Sequence, residues 1–166
     1  MSFLPGGAVP QAQPVARSTR ANPLLADAVL VKKGQRRLYL LHHGKPFRTY
    51  RVSLGIDPVG HKERRGDNRT PEGHYLIDWR NPNSRFHRSL HISYPNEQDR
   101  LYAARQGWDP GGMIMIHGQP HGRGPGAVRD LIAYKDWTEG CIAVSNLAID
   151  EIWRFVPNGT PIEIRP

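Results

Sequence analysis

The chain is poor in the features that most readily announce a class. Its 166 residues hold one cysteine, Cys141, so an intramolecular disulfide framework is excluded. No apolar run approaches the roughly 20 residues of a membrane-spanning helix. The first 26 residues lack the apolar core of a secretory signal. Internal repeats, a glycine-rich phosphate loop, a paired-cysteine zinc pattern and a His-Glu-x-x-His helix are also missing. These absences count against phosphate-loop enzymes, zinc-finger modules, helical solenoids and proteins inserted stably in a membrane.

What is present is basic. Lys and Arg number 23 against 15 Asp and Glu, for a net charge of +8. Nucleic acid, a membrane surface and an acidic wall polymer would all attract such a chain. The cations are scattered rather than gathered on one helix, so a solvated basic surface explains them equally well. The length suits one domain with its own core. Pro, Ala, Gln and Gly dominate residues 1–27, which read as a flexible leader ahead of a domain at 28–166.

Short apolar runs separated by Gly and Pro predict a mainly β domain with few helices. The expected strands are Ala28 to Lys32, Arg37 to His42, Phe47 to Leu54, Gly73 to Trp79, Leu90 to Tyr94, Met113 to His117, Cys141 to Ser145 and Pro161 to Ile164. Lys33-Gly34-Gln35 and His43-Gly44-Lys45 fit hairpin turns. A helix capped by Ser145 or Asn146 places Ile149, Ile152, Trp153 and Val156 on one face, and Pro157-Asn158-Gly159 ends it.

A lone cysteine is either a small buried hydrophobe or a nucleophile. Gly140 before it permits a tight turn that brings backbone N–H groups to a reacting carbonyl. A thiol of ordinary pKa also needs a base, and His117 closes the apolar run Met113 to Ile116. Adjacent strand ends would put the two side chains in reach, although His117 taken alone reads better as a hydrogen-bonded histidine at a strand end. His117 and His121 have metal-compatible spacing, and His42, His43, His61, His74, His87 and His91 add further imidazoles. Gly118 and Pro120 disfavour a helix there, so no catalytic metal and no cofactor are expected.

Ile116-His117-Gly118, followed after a loop by Thr138-Glu139-Gly140-Cys141-Ile142, resembles the signature of the L,D-transpeptidase catalytic domain, also called the YkuD-like domain. Thr70-Pro71-Glu72-Gly73-His74-Tyr75 is similar to a further segment of that family, and the resemblance covers roughly residues 28–165. The stretch Arg80 to Asn96, with Asp136-Trp137-Thr138-x-Gly140-Cys141-Ile142-Ala143-Val144, resembles one proteobacterial branch, which includes enzymes that cut peptidoglycan attachments as well as enzymes that make them. The resemblance implies a β-sandwich of mixed sheets with a few short helices. It also implies a periplasmic or envelope enzyme acting on peptidoglycan stem peptides, with a wall-anchored lipoprotein as a further partner and no role for nucleic acid.

Under this resemblance Cys141 is the nucleophile and His117 the base, its second nitrogen donating to a backbone carbonyl, that of Gly118. Glu139, Gly140 and Cys141 supply oxyanion N–H groups, with Gly118 also placed at the backbone site. Arg80, Ser84, Phe86, Tyr94, His121 and Thr138 are candidates for substrate contact. Asp67, Thr70, Pro71 and Gly73 shape the approach loop, Trp137 and Thr138 orient the nucleophile segment, and Gly122-Arg123-Gly124-Pro125-Gly126 forms a lid. Two positions depart from the family pattern. Glu139 replaces a histidine before Gly-Cys, and Ala143 replaces an arginine two residues after the cysteine. Hydrolysis, as an L,D-carboxypeptidase or an amidase that frees wall-anchored protein, therefore competes with transfer. An arginine placed at 143 is expected to raise transfer if that position faces the cleft. The rivals from other classes are a basic noncatalytic wall-binding module, in which Cys141 is merely buried, and a chelator-sensitive metal hydrolase.

Overall fold

The computed structural model describes residues 24–121 and 135–166. Most of the proposed leader and all of the proposed glycine-rich lid lie outside the described residues. Eight strands form one mixed sheet in the order β3-β2-β1-β8-β4-β5-β6-β7. They are β1 (Ala28–Lys32), β2 (Arg37–His42), β3 (Lys45–Arg51), β4 (Gly73–Ser84), β5 (His87–Ile92), β6 (Met115–His117), β7 (Ile142–Ala143) and β8 (Thr160–Arg165). The pairs β1–β8 and β6–β7 are parallel, and the other pairs are antiparallel. The mainly β character and the mixed pairing are as expected. The ladder is one continuous curled sheet, whose core face does the work of a sandwich interior.

Period-two alternation selects that face. Val29 and Val31 of β1, Leu38 and Leu40 of β2, Tyr75 and Ile77 of β4, and Ile162 and Ile164 of β8 are all buried. Their burial is the main stabilising contribution, at roughly 1.5–3 kcal/mol for each large aliphatic side chain. Helix α2 (Asn146–Phe155) lies against β5 and completes this core. Ser145 caps it by accepting from the Ala148 N–H at 3.0 Å, and Ile149, Ile152 and Val156 are inside. Trp153 is only partly buried, under the guanidinium groups of Arg80 and Arg88.

Helix α1 (Glu97–Gln106) is not marked by hydrophobic period, because it carries no apolar stripe and buries only Ala103. Its signals are at its ends. Asn96 and Asp99 form a reciprocal capping box, and Gly107 closes the helix at φ 71°. The Asp99 carboxylate also accepts from Tyr75 Oη at 2.9 Å and lies 3.0 Å from His61 Nε2. A capping residue, rather than packing, thus holds α1 to the sheet.

Several strand bounds shift. β3 ends at Arg51, because Val52 to Gly55 leave β2 and cross to the far edge of the sheet. There Ser53 bridges Ala143 and Gly55 bridges Thr138. β4 runs on to Ser84, past Pro82, and β7 contracts to two residues. The curl brings both ends of the sheet together around the segment that carries Cys141.

Candidate active site

β6 and β7 lie side by side in parallel, with Ile116 opposite Ile142 and His117 opposite Ala143. The two isoleucines face the core, so the alternation sends His117 and Cys141 to the other face. Cys141 Sγ sits 3.4 Å from the Met115 N–H and 3.5 Å from the Met113 carbonyl. Gly140 turns the chain at φ 134°, a conformation L side chains avoid, and a Cβ there would meet the Arg69 carbonyl at 2.6 Å. Thr138 Oγ1 donates to the Cys141 carbonyl at 2.7 Å and receives the Gly140 N–H at 3.2 Å. Asp136 anchors the start of this segment by pairing with Arg36 and accepting from the Leu54 N–H at 2.9 Å.

His117 is 3% exposed. Its Nδ1 lies 2.7 Å from the Gly118 carbonyl. A carbonyl only accepts, so Nδ1 carries the proton in the neutral ring and Nε2 keeps its lone pair. Phe86 stacks on the imidazole with centroids 4.4 Å apart, and Trp137 meets it edge-on at 5.6 Å. Burial lowers the pKa of His117, against the opposing effect of the Gly118 bond. Burial also raises that of Cys141; the Met115 N–H opposes this, the Glu139 charge adds to it and Lys62 works against it. Both groups are therefore neutral at neutral pH, the starting point for general-base activation rather than a preformed ion pair.

A cleft of about 520 Å³ exposes Cys141 and is lined by Lys62, Arg65, Asn68, Arg85, Met113 and Glu139, among others. Lys62 and Arg85 carry no motif signal, and only the fold brings them here. Lys62 is buried and committed to Asp67 at 2.8 Å, and Arg65 pairs with Asp109 at 2.7 Å. Among the described residues, Arg85 has no carboxylate partner and Glu139 has no cationic one. Asp67 also accepts from the backbone N–H groups of Glu63, Arg64 and Arg69, which organises the approach loop.

The expected contact residues are not among those lining this cleft. Tyr94 is a core residue, 2% exposed, with its hydroxyl donating to the Pro110 carbonyl at 2.8 Å. Arg80 is spent on the C-terminal end of α2, donating to the Trp153 and Val156 carbonyls and to Asn158 Oδ1. Ser84 is buried, with its carbonyl 3.0 Å from His121 Nε2, so both residues close the β4–β5 turn. Thr138 braces the turn that carries Cys141, and Phe86 stacks on the imidazole. The Gly118 N–H donates to the Arg88 carbonyl at 3.3 Å and is not available as an oxyanion donor. Gln119, which no motif in the sequence marks, ties the chain after His117 to α2. Its N–H donates to Asn146 Oδ1 at 2.8 Å and its amide to the Val144 carbonyl at 2.7 Å.

Ala143 is fully buried, and its N–H and carbonyl both pair with Ser53 at 2.9 Å. Ala143 is not among the residues lining the cleft, so the condition under which an arginine there was expected to raise transfer is not met. Ala143→Arg should instead destabilise the domain by about 3 kcal/mol or more, through overpacking and a buried charge. Thermal denaturation checks this: an unchanged melting temperature would mean that the side chain escapes to solvent.

Fold and site together define the class: a mainly β domain that presents a buried imidazole at the end of one strand and a thiol just ahead of its parallel neighbour. The chain belongs to the YkuD family, the L,D-transpeptidase catalytic domain, whose family model matches residues 26–164. It is 33% identical over 111 residues to YafK of Escherichia coli (strain K12), a proposed L,D-transpeptidase, covering 65% of this chain and 36% of YafK. Among solved structures it is similar to the helical cell shape determining protein Pgp2 of Campylobacter jejuni, with a TM-score of 0.61 and 25% identity. That match covers 82% of this chain and 46% of Pgp2. The fold is also that of an L,D-transpeptidase from Xylanimonas cellulosilytica, with a TM-score of 0.54, 19% identity, and 92% and 64% of the two chains covered. The chain thus spans little more than a third of YafK and less than half of Pgp2. Among the described residues no helix is long and apolar enough to cross a membrane.

Proposed function

We propose that this domain is a cysteine acyltransferase, an L,D-transpeptidase that acts on peptidoglycan tetrapeptide stems in the cell envelope. The observation that carries this reading is the Nδ1 bond from His117 to the Gly118 carbonyl, which leaves Nε2 as a base on the same sheet face as an accessible thiol. Nε2 takes the Cys141 proton as Sγ attacks the carbonyl of an L-centre that precedes a D-residue. The tetrahedral oxyanion is met by the N–H groups of Glu139 and Cys141, each such donor being worth on the order of 3 kcal/mol. Collapse breaks the C–N bond, and the imidazolium returns its proton to the departing D-alanine amine, leaving a thioester on Sγ. An acceptor amine then loses its proton to Nε2, attacks the thioester, and restores the thiol. The acceptor amine belongs to a neighbouring stem or to a wall-anchored lipoprotein.

Hydrolysis is the second reading, raised by the departures from the family pattern at Glu139 and Ala143. The Glu139 carboxylate lies close enough to Cys141 to raise the thiol pKa, where the usual family pattern has a histidine. Intact-mass measurement separates the readings. Protein incubated with a disaccharide tetrapeptide should gain an acyl adduct and yield crosslinked dimers. Tripeptides without dimers would indicate hydrolysis, and no adduct with either the stem or a carbapenem would overturn the acyl-enzyme route.

Arg85 and Glu139, which have no partner of opposite charge among the described residues, complement a donor side chain that bears both a carboxylate and an ammonium group. Arg85→Ala should raise KM by about tenfold or more, the value of one charge-assisted bond, with a smaller change in kcat. Steady-state kinetics on the tetrapeptide and on an analogue lacking the side-chain carboxylate check this. Equal losses on both substrates would refute recognition by Arg85.

A further inference from the structure

The β2–β3 turn carries a polar cluster with no part in the acyl-transfer reading. Two successive residues of a strand normally point to opposite faces. His42 ends β2, and His43 enters the turn at φ 50° with Gly44 following at φ 75°. This left-handed turn brings the two imidazoles together, with ring centroids 4.2 Å apart. Asparagine, aspartate or glycine is what such a turn ordinarily selects.

Asp27, just ahead of β1, reaches the same spot. Its Oδ2 accepts from the His43 N–H at 2.7 Å and lies 3.9 Å from Nδ1 of each histidine. One ligand atom from each of the three residues falls within 4.8 Å of the others. In a tetrahedral zinc site, bonds of about 2.0–2.1 Å set neighbouring ligand atoms about 3.4 Å apart, so small rotations of these side chains, His43 being largely exposed and Asp27 and His42 partly so, close the gap. Two imidazoles and a carboxylate are donors that suit zinc, nickel or copper rather than calcium or magnesium.

We propose that Asp27, His42 and His43 form a surface site for a divalent transition metal of the zinc type, with water completing the coordination. The metal staples the segment preceding β1 to the β2–β3 turn, and it acts on stability by mass action rather than on the reaction at Cys141. His42 Nδ1 also lies 2.9 Å from the Leu25 carbonyl. A metal taking this nitrogen displaces the ring proton, so binding weakens as the solution is acidified.

The test uses untagged full-length protein carrying Cys141→Ala, which removes the only thiol from competition. After chelator treatment it is titrated with zinc chloride by calorimetry, and its melting temperature is followed against zinc concentration. One equivalent should bind, and the melting temperature should rise with the logarithm of free zinc. His43→Asn, which tolerates the left-handed turn, should weaken binding at least about tenfold, and His42→Ala with His43→Asn should abolish both effects. Absence of binding at 100 µM zinc (about the weakest range of interest for a protein site) would overturn the site. So would equal affinity in the double variant, since the zinc would then be held elsewhere.

Discussion

Cys141→Ala should lower turnover on a disaccharide tetrapeptide by about 10⁴-fold or more, because no other group in the cleft can form the thioester. The fold should survive. Cys141 is only partly buried, and its sulfur makes two long contacts, to Met115 and Met113, so the stability cost is about 1 kcal/mol. The carbapenem adduct should vanish with the activity. The measurement pairs single-turnover kinetics with thermal unfolding. A variant that keeps even a few per cent of the wild-type rate would sink the mechanism, and one that binds wall material undiminished while wild type forms no adduct would support the noncatalytic wall-binding module.

His117→Ala should slow acylation by about 10²–10⁴-fold, the usual worth of a general base. The pH profile carries the sharper expectation. Burial lowers the pKa of His117, so the imidazole stays neutral, and competent as a base, to a pH below the ordinary histidine value of about 6.5. The acid limb of wild-type acylation should therefore fall below that value. Without His117, reaction must await free thiolate, and burial raises the Cys141 pKa. Acylation by the variant should then rise only in the alkaline range, above the ordinary thiol value of about 8.5. His121→Ala, which among the described residues removes a side-chain contact to the Ser84 carbonyl, should leave the profile in place. Coincident profiles for wild type and His117→Ala would show that the pair does not act together.

The strand end at His117 and the glycine turn before Cys141 were legible in the sequence, because their determinants are local. His117 ends an apolar run, Gly140 permits the turn, and the α2 pattern from Ser145 to Val156 has the helical period. What could not be read depends on side chains meeting across the fold. Arg80 and Tyr94 stand in a segment that looks functional, but one is drawn to the carbonyls at the end of α2 and the other into the core. Lys62 and Arg85 enter the cleft from loops some 80 and 56 residues before Cys141, with nothing in their neighbours to mark them. Ala143 follows the same logic in reverse. Its substitution for the family's arginine suggested a retuned substrate site, whereas Ala143 is fully buried and pairs through both its backbone groups with Ser53.

The crossing of residues 52–55 has a further effect on how the protein behaves among its own copies. By bridging Ala143 and Thr138, this segment caps the β7 side of the sheet. Among the described residues β3 is then the open margin, an invitation to strand addition by another chain. Lys45, Arg48 and Arg51 stand exposed along it, while Phe47 and Tyr50 pack against the core. A second β3 laid alongside would bring like charges together. The basic surplus thereby serves as a gatekeeper against edge-to-edge aggregation, a benefit that holds whatever polymer the domain meets.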